Sequence, residues 1–274
     1  MKSVPILLVI LLSMGVAAAQ NDPASISPIF NTEFASQAAQ ASSATLSYTI
    51  AHFPYGGGYS TRVLLSNSGG STANVNVKFF NQAGASTLVP LEGQGMQGSQ
   101  AMTIAKNETM AIGADTSQRN ALPQTEVAWA TVSSTAPLNV FSLFDYGPNP
   151  PAITGSVGAQ STAPSKTFRF PVSVGGDVAY NAGMALANPN GSQTTVTVKV
   201  LNGDGTLKGS FPETLPANGQ TIFLLNQKMT FDTSTLFTGS VAVCASQPVG
   251  LVAIGVEGGP TGLFTISVTT DPCP

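Results

Sequence analysis

From Ala73 to Phe79 the chain alternates strictly: Val75, Val77 and Phe79 are apolar, while Asn74, Asn76 and Lys78 between them are polar. A period of two places one set of side chains on a buried face and the other in water, which is the pattern of a half-buried strand. Val196, Val198 and Val200 repeat the scheme in TVTVKVL. Asn81-Gln82-Ala83-Gly84 and Asn202-Gly203-Asp204-Gly205 follow the two strands as hairpin turns.

The two strands belong to an internal duplication. Asn67 to Gly84 matches Asn188 to Gly205 without a gap, setting Asn67 on Asn188, Lys78 on Lys199 and Gly84 on Gly205. Upstream, Phe53-Pro54 corresponds to Phe170-Pro171. Downstream, Val132 to Phe144 corresponds to Val243 to Gly255, with Pro137 on Pro248. The first copy carries an insertion near Gly93 to Gln100. Short alternating strands spaced by turns predict an all-β protein of two tandem immunoglobulin-like β-sandwich domains, over 48–161 and 166–272.

Ahead of them, 1–19 read as a signal peptide: Lys2 is the positive start, Ile6 to Leu12 the apolar stretch, and Ala17-Ala18-Ala19 the cleavage site. The apolar run is too short to span a bilayer, so no membrane span is expected. Residues 20–47, rich in Ala, Ser and Gln, read as a flexible N-terminal segment. The expected location is therefore secreted or extracytoplasmic, meaning periplasm, cell surface or extracellular space.

Charged residues are only 8% of the chain, against roughly 25% in an ordinary soluble protein. Cleavage of the leader would remove one of 10 basic residues and none of the 13 acidic ones. No basic cluster remains, so nucleic acid and anionic lipid are poor partners. A surface of Ser, Thr, Asn and Gln suits a wall, matrix or surface protein, with protein or glycan at the cell surface as the expected partner. The two cysteines, Cys244 and Cys273, are expected to form a disulfide in an oxidising compartment.

FPYGGGYSTRVLLSNSGGSTANVNVKFFNQAG, VAWATVSSTAPLNVF, FRFPVSVGGDVAYNAGMALANPNGSQTTVTVKVLNGDGTL and LPANGQTIFLLN occur in this order. The arrangement resembles the paired β-sandwich repeats of large secreted proteins in acidobacteria and related soil bacteria. The resemblance covers nearly all of the chain after the leader and implies an exported bacterial module of sandwich type. It brings no activity and no functional residues with it.

Candidate chemistry is sparse. His52, the single histidine, sits at a strand end in AHFPY with no nucleophile elbow anywhere, and reads as structural. Gly93, Gly95 and Gly98 satisfy GxGxxG, but a strand pattern follows where a dinucleotide fold needs a helix. Asn202 and Asp204 could suggest calcium, yet the matching turn of the first copy has no carboxylate, and a plain hairpin is expected. Glu92, Glu108, Asp115, Glu126 and Asp145 are scattered and form no acid pair that the sequence can identify. Two cysteines and one histidine do not suffice for a structural zinc site. No catalytic residue, metal or cofactor is therefore expected.

Tyr55, Tyr59 and Tyr180 flank related glycine turns and are the best binding candidates, since rings on a sandwich rim can stack on sugar faces. Trp129, in VAWATV, reads as core or interdomain packing. The leading expectation is a non-catalytic structural or interaction module of the envelope or matrix. The alternatives are a carbohydrate-binding module using those tyrosines, and a self-associating subunit whose N-terminal segment adds a strand to a neighbour's sheet.

Overall fold

The computed structural model describes residues 45–147, 152–161, 163–258 and 262–274. Residues 1–19, read as a signal peptide, and most of the 20–47 segment lie outside the described residues. The first unit runs through β1 (Leu46–Tyr55), β2 (Tyr59–Asn67), β3 (Ala73–Phe80), β4 (Val89–Leu91), β5 (Gly95–Gln97), β6 (Ser99–Ile104), β7 (Thr109–Gly113), β8 (Glu126–Ser134), β9 (Leu138–Tyr146) and β10 (Gly155–Gln160). The second comprises β11 (Ser165–Val174), β12 (Asn181–Ala187), β13 (Thr194–Asn202), β14 (Leu207–Leu215), β15 (Gln220–Leu224), a one-turn helix α1 (Leu225–Lys228), β16 (Phe237–Glu257) and β17 (Gly262–Thr265). β1 opens at Leu46, which pairs with Ser134, so the strand reaches two residues into the segment read as its flexible lead.

Each unit is a two-layer antiparallel sandwich. In the first, β1-β8-β3-β6 faces β10-β9-β2-β7. In the second, β11-β16-β13-β14 faces β17-β16-β12-β15, with the 21-residue β16 serving both layers. The layers enclose one apolar core per unit. Phe53, Val77, Phe79 and Val132 meet Val63, Leu65 and Val140 in the first, and Phe168, Phe170, Val198 and Val243 meet Met184, Leu186 and Leu251 in the second. The alternation read in the sequence accounts for these inner faces.

The pairing order differs from the immunoglobulin arrangement, in which the first two strands share a sheet. Here β8 and β9 lie in opposite layers, as do β1 and β2. The crossover is made by proline. Pro137 separates β8 from β9, and Pro248 sits inside β16 between Ala245, the last partner of β13, and Val249, which pairs with Ser165. A residue without an N–H costs no ladder hydrogen bond where the strand is leaving one sheet for the other. Pro54, Pro171 and Pro212 likewise lie on strands at sheet edges, β1, β11 and β14.

The insertion in the first unit is the β4–β5 hairpin, tipped by Gly93 and Gly95 at positive φ of 71° and 72°. In the second unit the chain instead turns directly from β13 to β14. The C-terminal tail crosses the outer face of β11-β16-β13. Thr269 exchanges backbone hydrogen bonds with Arg169, Lys199 Nζ donates to the Pro274 carbonyl, and Cys273 is joined to Cys244.

A buried asparagine pins each unit at the same place. Asn67 is 1% exposed; its Nδ2 donates to the carbonyls of Ser71 (2.8 Å), Ile104 (3.0 Å) and Ala105 (3.2 Å), and its Oδ1 accepts from Gly69 N–H. Asn188 is fully buried and does the same with Ser192 (2.8 Å) and Pro216 (2.8 Å), while its Oδ1 accepts from Asn190 N–H and Thr194 Oγ1. One side chain thus ties the β2–β3 turn, and its counterpart β12–β13, to the end of the neighbouring layer. Replacing Asn188 by Ala leaves several buried groups without partners and is expected to cost about 2–4 kcal/mol. Asn67→Ala should lose a similar amount. Urea unfolding with an unchanged m-value checks both, and a loss below about 0.5 kcal/mol would show that the pin is dispensable.

Candidate functional site

The feature that the duplication does not repeat is the seam between the two units, and it begins with a bulge. β1 pairs with β8 through Ile50↔Ala130 and then Phe53↔Ala128, so Ala51 and His52 together oppose Trp129. In a regular strand Ala51 and His52 would face opposite ways. An extra residue turns both to the same side and increases the local twist. Ile50 and Phe53 keep their places in the first core, while Ala51 joins a third cluster with Trp129, Phe144, Val157, Ala159, Ala187 and Val252. That cluster draws on both units.

Hydrogen bonds fix the seam at the Trp129 end. Trp129 Nε1 donates to the Asn218 carbonyl at 3.0 Å, and Phe80 stacks on the indole with ring centres 4.8 Å apart. Gln220 reaches across twice: Nε2 to the Ala51 carbonyl at 2.5 Å, and its backbone N–H to Gln82 at 3.0 Å. Backbones also approach closely. A Cβ on Gly250 would lie 2.3 Å from the Thr49 side chain, and one on Gly84 2.1 Å from the Ala217 carbonyl. At the far end Thr265 Oγ1 donates to the Gly158 carbonyl.

Beside the seam lies a cleft. β12 turns only small residues outward at its centre, Gly183 and Ala185. Ile222 and Leu224 of β15 flank them on one side, and Val252 and Ile254 of β16 on the other. The resulting trough encloses ≈ 300 Å³, with His52 and Gln227 as its polar side chains. A second cavity of ≈ 200 Å³ lies beyond His52 and Ile254, against Pro54, Tyr59, Phe144 and Leu263. The two spaces share the imidazole.

His52 packs its ring on Phe144, 5.4 Å between centres. The residue as a whole is half-buried, and its Nδ1 is shut off from solvent and has no hydrogen-bond partner among the described residues. Burial disfavours the charged form and lowers the imidazole to a pKa of about 4. The ring is neutral at physiological pH.

The tyrosines named from the sequence are not brought together as a platform. Tyr55 is 9% exposed and packs on Phe53 in the first core, so its face is unavailable to a sugar. Tyr59 lies against Tyr146 at 47°, and Tyr180 meets Phe264 edge-on at 85°. Burial raises the phenols of Tyr55 and Tyr59, with smaller contributions from Glu126 and Tyr146 respectively.

The scattered acids are used locally. Glu108 accepts from Ala105 N–H, Asp115 from Ser117 N–H, and Asp145 from Ser156 Oγ. Asp204 stays in its turn, where the Thr206 hydroxyl and N–H hold its carboxyl below the usual range. Among the described residues no group of His, Cys, Asp and Glu is placed to hold a metal ion, and no helix is long and apolar enough to cross a membrane. Sequence reading missed the His52 cleft. The available signal was the match of His52-Phe53 to Arg169-Phe170 across a strand that is bulged at this point in only one copy. No protein-family model matches the chain, and no curated protein matches it.

The buried imidazole makes stability depend on pH. As pH falls from about 6.5, the unfolded chain protonates this histidine while the folded one resists until about 4. Stability contributed by the neutral ring is therefore complete above the unfolded value and lost through that window, by up to about 3 kcal/mol. His52→Phe should flatten the unfolding free energy between these two pH values. An identical pH profile for both proteins would contradict the placement of the ring.

Proposed function

We propose that this protein is an exported, non-catalytic structural or interaction module of the cell envelope or extracellular matrix. The seam is the observation that carries this reading. A dry shared core, the Trp129–Asn218 bond and the two reaches of Gln220 join the sandwiches, where tethered domains would meet through a small polar contact. A stiff two-unit body is the build of a spacer or platform. The tail stapled by Cys244–Cys273 suits an oxidising exterior.

The accessible face of β3, β6 and β8 supports the same reading. Asn74, Asn76, Thr103, Thr131, Ser133 and Thr135 are exposed or half-buried there, with Lys78 beside them. Such a surface meets protein or glycan through neutral hydrogen bonds. The chain that begins at residue 20 is expected to co-sediment with an insoluble cell-envelope fraction. It should stay bound in about 1 M salt, where the Debye length is only about 3 Å. A chain that remains in the supernatant, or that turns over a glycoside, ester or peptide substrate in a manner abolished by His52→Phe, would sink the reading.

One observation favours self-assembly as a second reading. Among the described residues β6 is an unpaired edge over Ser99–Ile104 with no charged residue and no proline, whereas the equivalent edge β14 carries Lys208, Pro212 and Glu213. Proteins normally blunt such edges with charge or proline. A strand supplied by the N-terminal segment of another copy would satisfy the free edge. Light scattering after size-exclusion chromatography should then find concentration-dependent oligomers that disappear when residues 20–44 are removed. A monomer in both forms would remove self-assembly from consideration.

A further inference from the structure

The cleft beside the seam has features that a spacer does not need. Its floor is opened by Gly183 and Ala185, the smallest residues available, between four branched aliphatic walls, Ile222, Leu224, Val252 and Ile254. Tight packing is the norm for a protein interior, and a larger residue at position 185 would close the space. A Cβ on Gly183 would lie 3.4 Å from the side chains of Ile254 and Leu224, an ordinary contact, so the chain is not obliged to use glycine here.

A bulge delivers the single imidazole of the protein to this otherwise apolar trough; Nδ1 is shut off from solvent, so a ligand would meet the ring through Nε2. Gln227 also lines the cleft; its Oε1 is occupied by Leu224 N–H, which leaves its amide hydrogens as donors. Among the described residues no Asp, Glu, Lys or Arg lines either cavity. A charged ligand would lose its hydration here and gain no counter-charge.

We propose that this cleft binds a small, uncharged, mainly apolar molecule of roughly ten non-hydrogen atoms, with a hydroxyl or carbonyl group set against the His52 imidazole. The volume is the space of about ten water molecules at 30 Å³ each, at the lower end of ligand sites. Apolar walls at the junction of two packed units with few polar groups are the usual build of a small-molecule pocket. The imidazole supplies orientation, because it can accept from a hydroxyl or donate to a carbonyl. Protein partners of the module reading would use other faces, so either proposal can fail without the other.

Binding can be followed by calorimetry and by the fluorescence of Trp129, the sole tryptophan, which sits opposite His52 in the bulge. Benzyl alcohol and cyclohexanone should bind saturably at one site, with benzoate and benzylamine at least about tenfold weaker. Ala185→Leu should lose at least about tenfold in affinity for benzyl alcohol. His52→Phe should abolish the preference for benzyl alcohol over toluene and leave toluene binding in place. Should Ala185→Leu fail to fold, Gly183→Ala adds one methyl in ordinary contact with Ile254 and Leu224 and should weaken binding at least about threefold. Absence of saturable binding by both neutral probes, equal affinity for benzoate, or unchanged affinity in the folded trough variant would overturn the proposal.

Discussion

A sandwich ordinarily buries two inner faces and leaves two outer faces to water. In this protein part of an outer face on each unit is also dry, and much of the structure follows from that demand. β12 is buried at every position from Asn181 to Ala187, because Met184 and Leu186 fill the second core while Ala187 meets Ala51 and Trp129 of the first unit. A strand loaded on both faces has no side free for charge. The low content of charged residues is in part the consequence of this additional burial.

The seam accounts for asymmetries within a duplicated sequence. Both copies keep the features that a single sandwich needs: the alternating strands, the proline crossover, the turns at Asn81 and Asn202, and the buried asparagines. They diverge where one copy faces the other. β1 bulges at Ala51-His52, where its counterpart β11 continues regularly through Arg169 and exposes its outer face to the C-terminal tail. Gly250 leaves room for the Thr49 side chain against its backbone. A pair of identical units would clash or gape at such a junction, and these local departures make the two outer faces complementary.

The contacts that hold the seam around Trp129 are neutral. His52 remains uncharged through burial, Gln220 and Trp129 use amide and indole donors, and the walls of the cleft are aliphatic. Packing therefore does most of the holding, while a few hydrogen bonds set the register between units. The close seam and the small cavity beside it have one origin. Two surfaces with different outer side chains meet closely around Trp129 and leave space where β12 presents its smallest residues.

The amino-acid sequence alone determined the local elements, because a period of two, an Asn-Gly turn and a proline between apolar runs act through neighbours along the chain. It also exposed the duplication, since the positions that fill an inner face recur in both copies. Tertiary structure decided the rest. Nothing in AHFPY shows that Ala51 and His52 share a side, because a bulge is a mismatch against a partner strand distant in sequence. Tyr55 looked like a rim residue next to three glycines, yet the packing of Phe53 and Phe79 takes it into the core. The division of β8 and β9 between layers was equally hidden, since a strand's alternation states which side is dry without stating which sheet it joins. The cleft exists only because side chains from β1, β12, β15 and β16 meet across a duplication, and no local pattern in any one of these strands encodes that meeting.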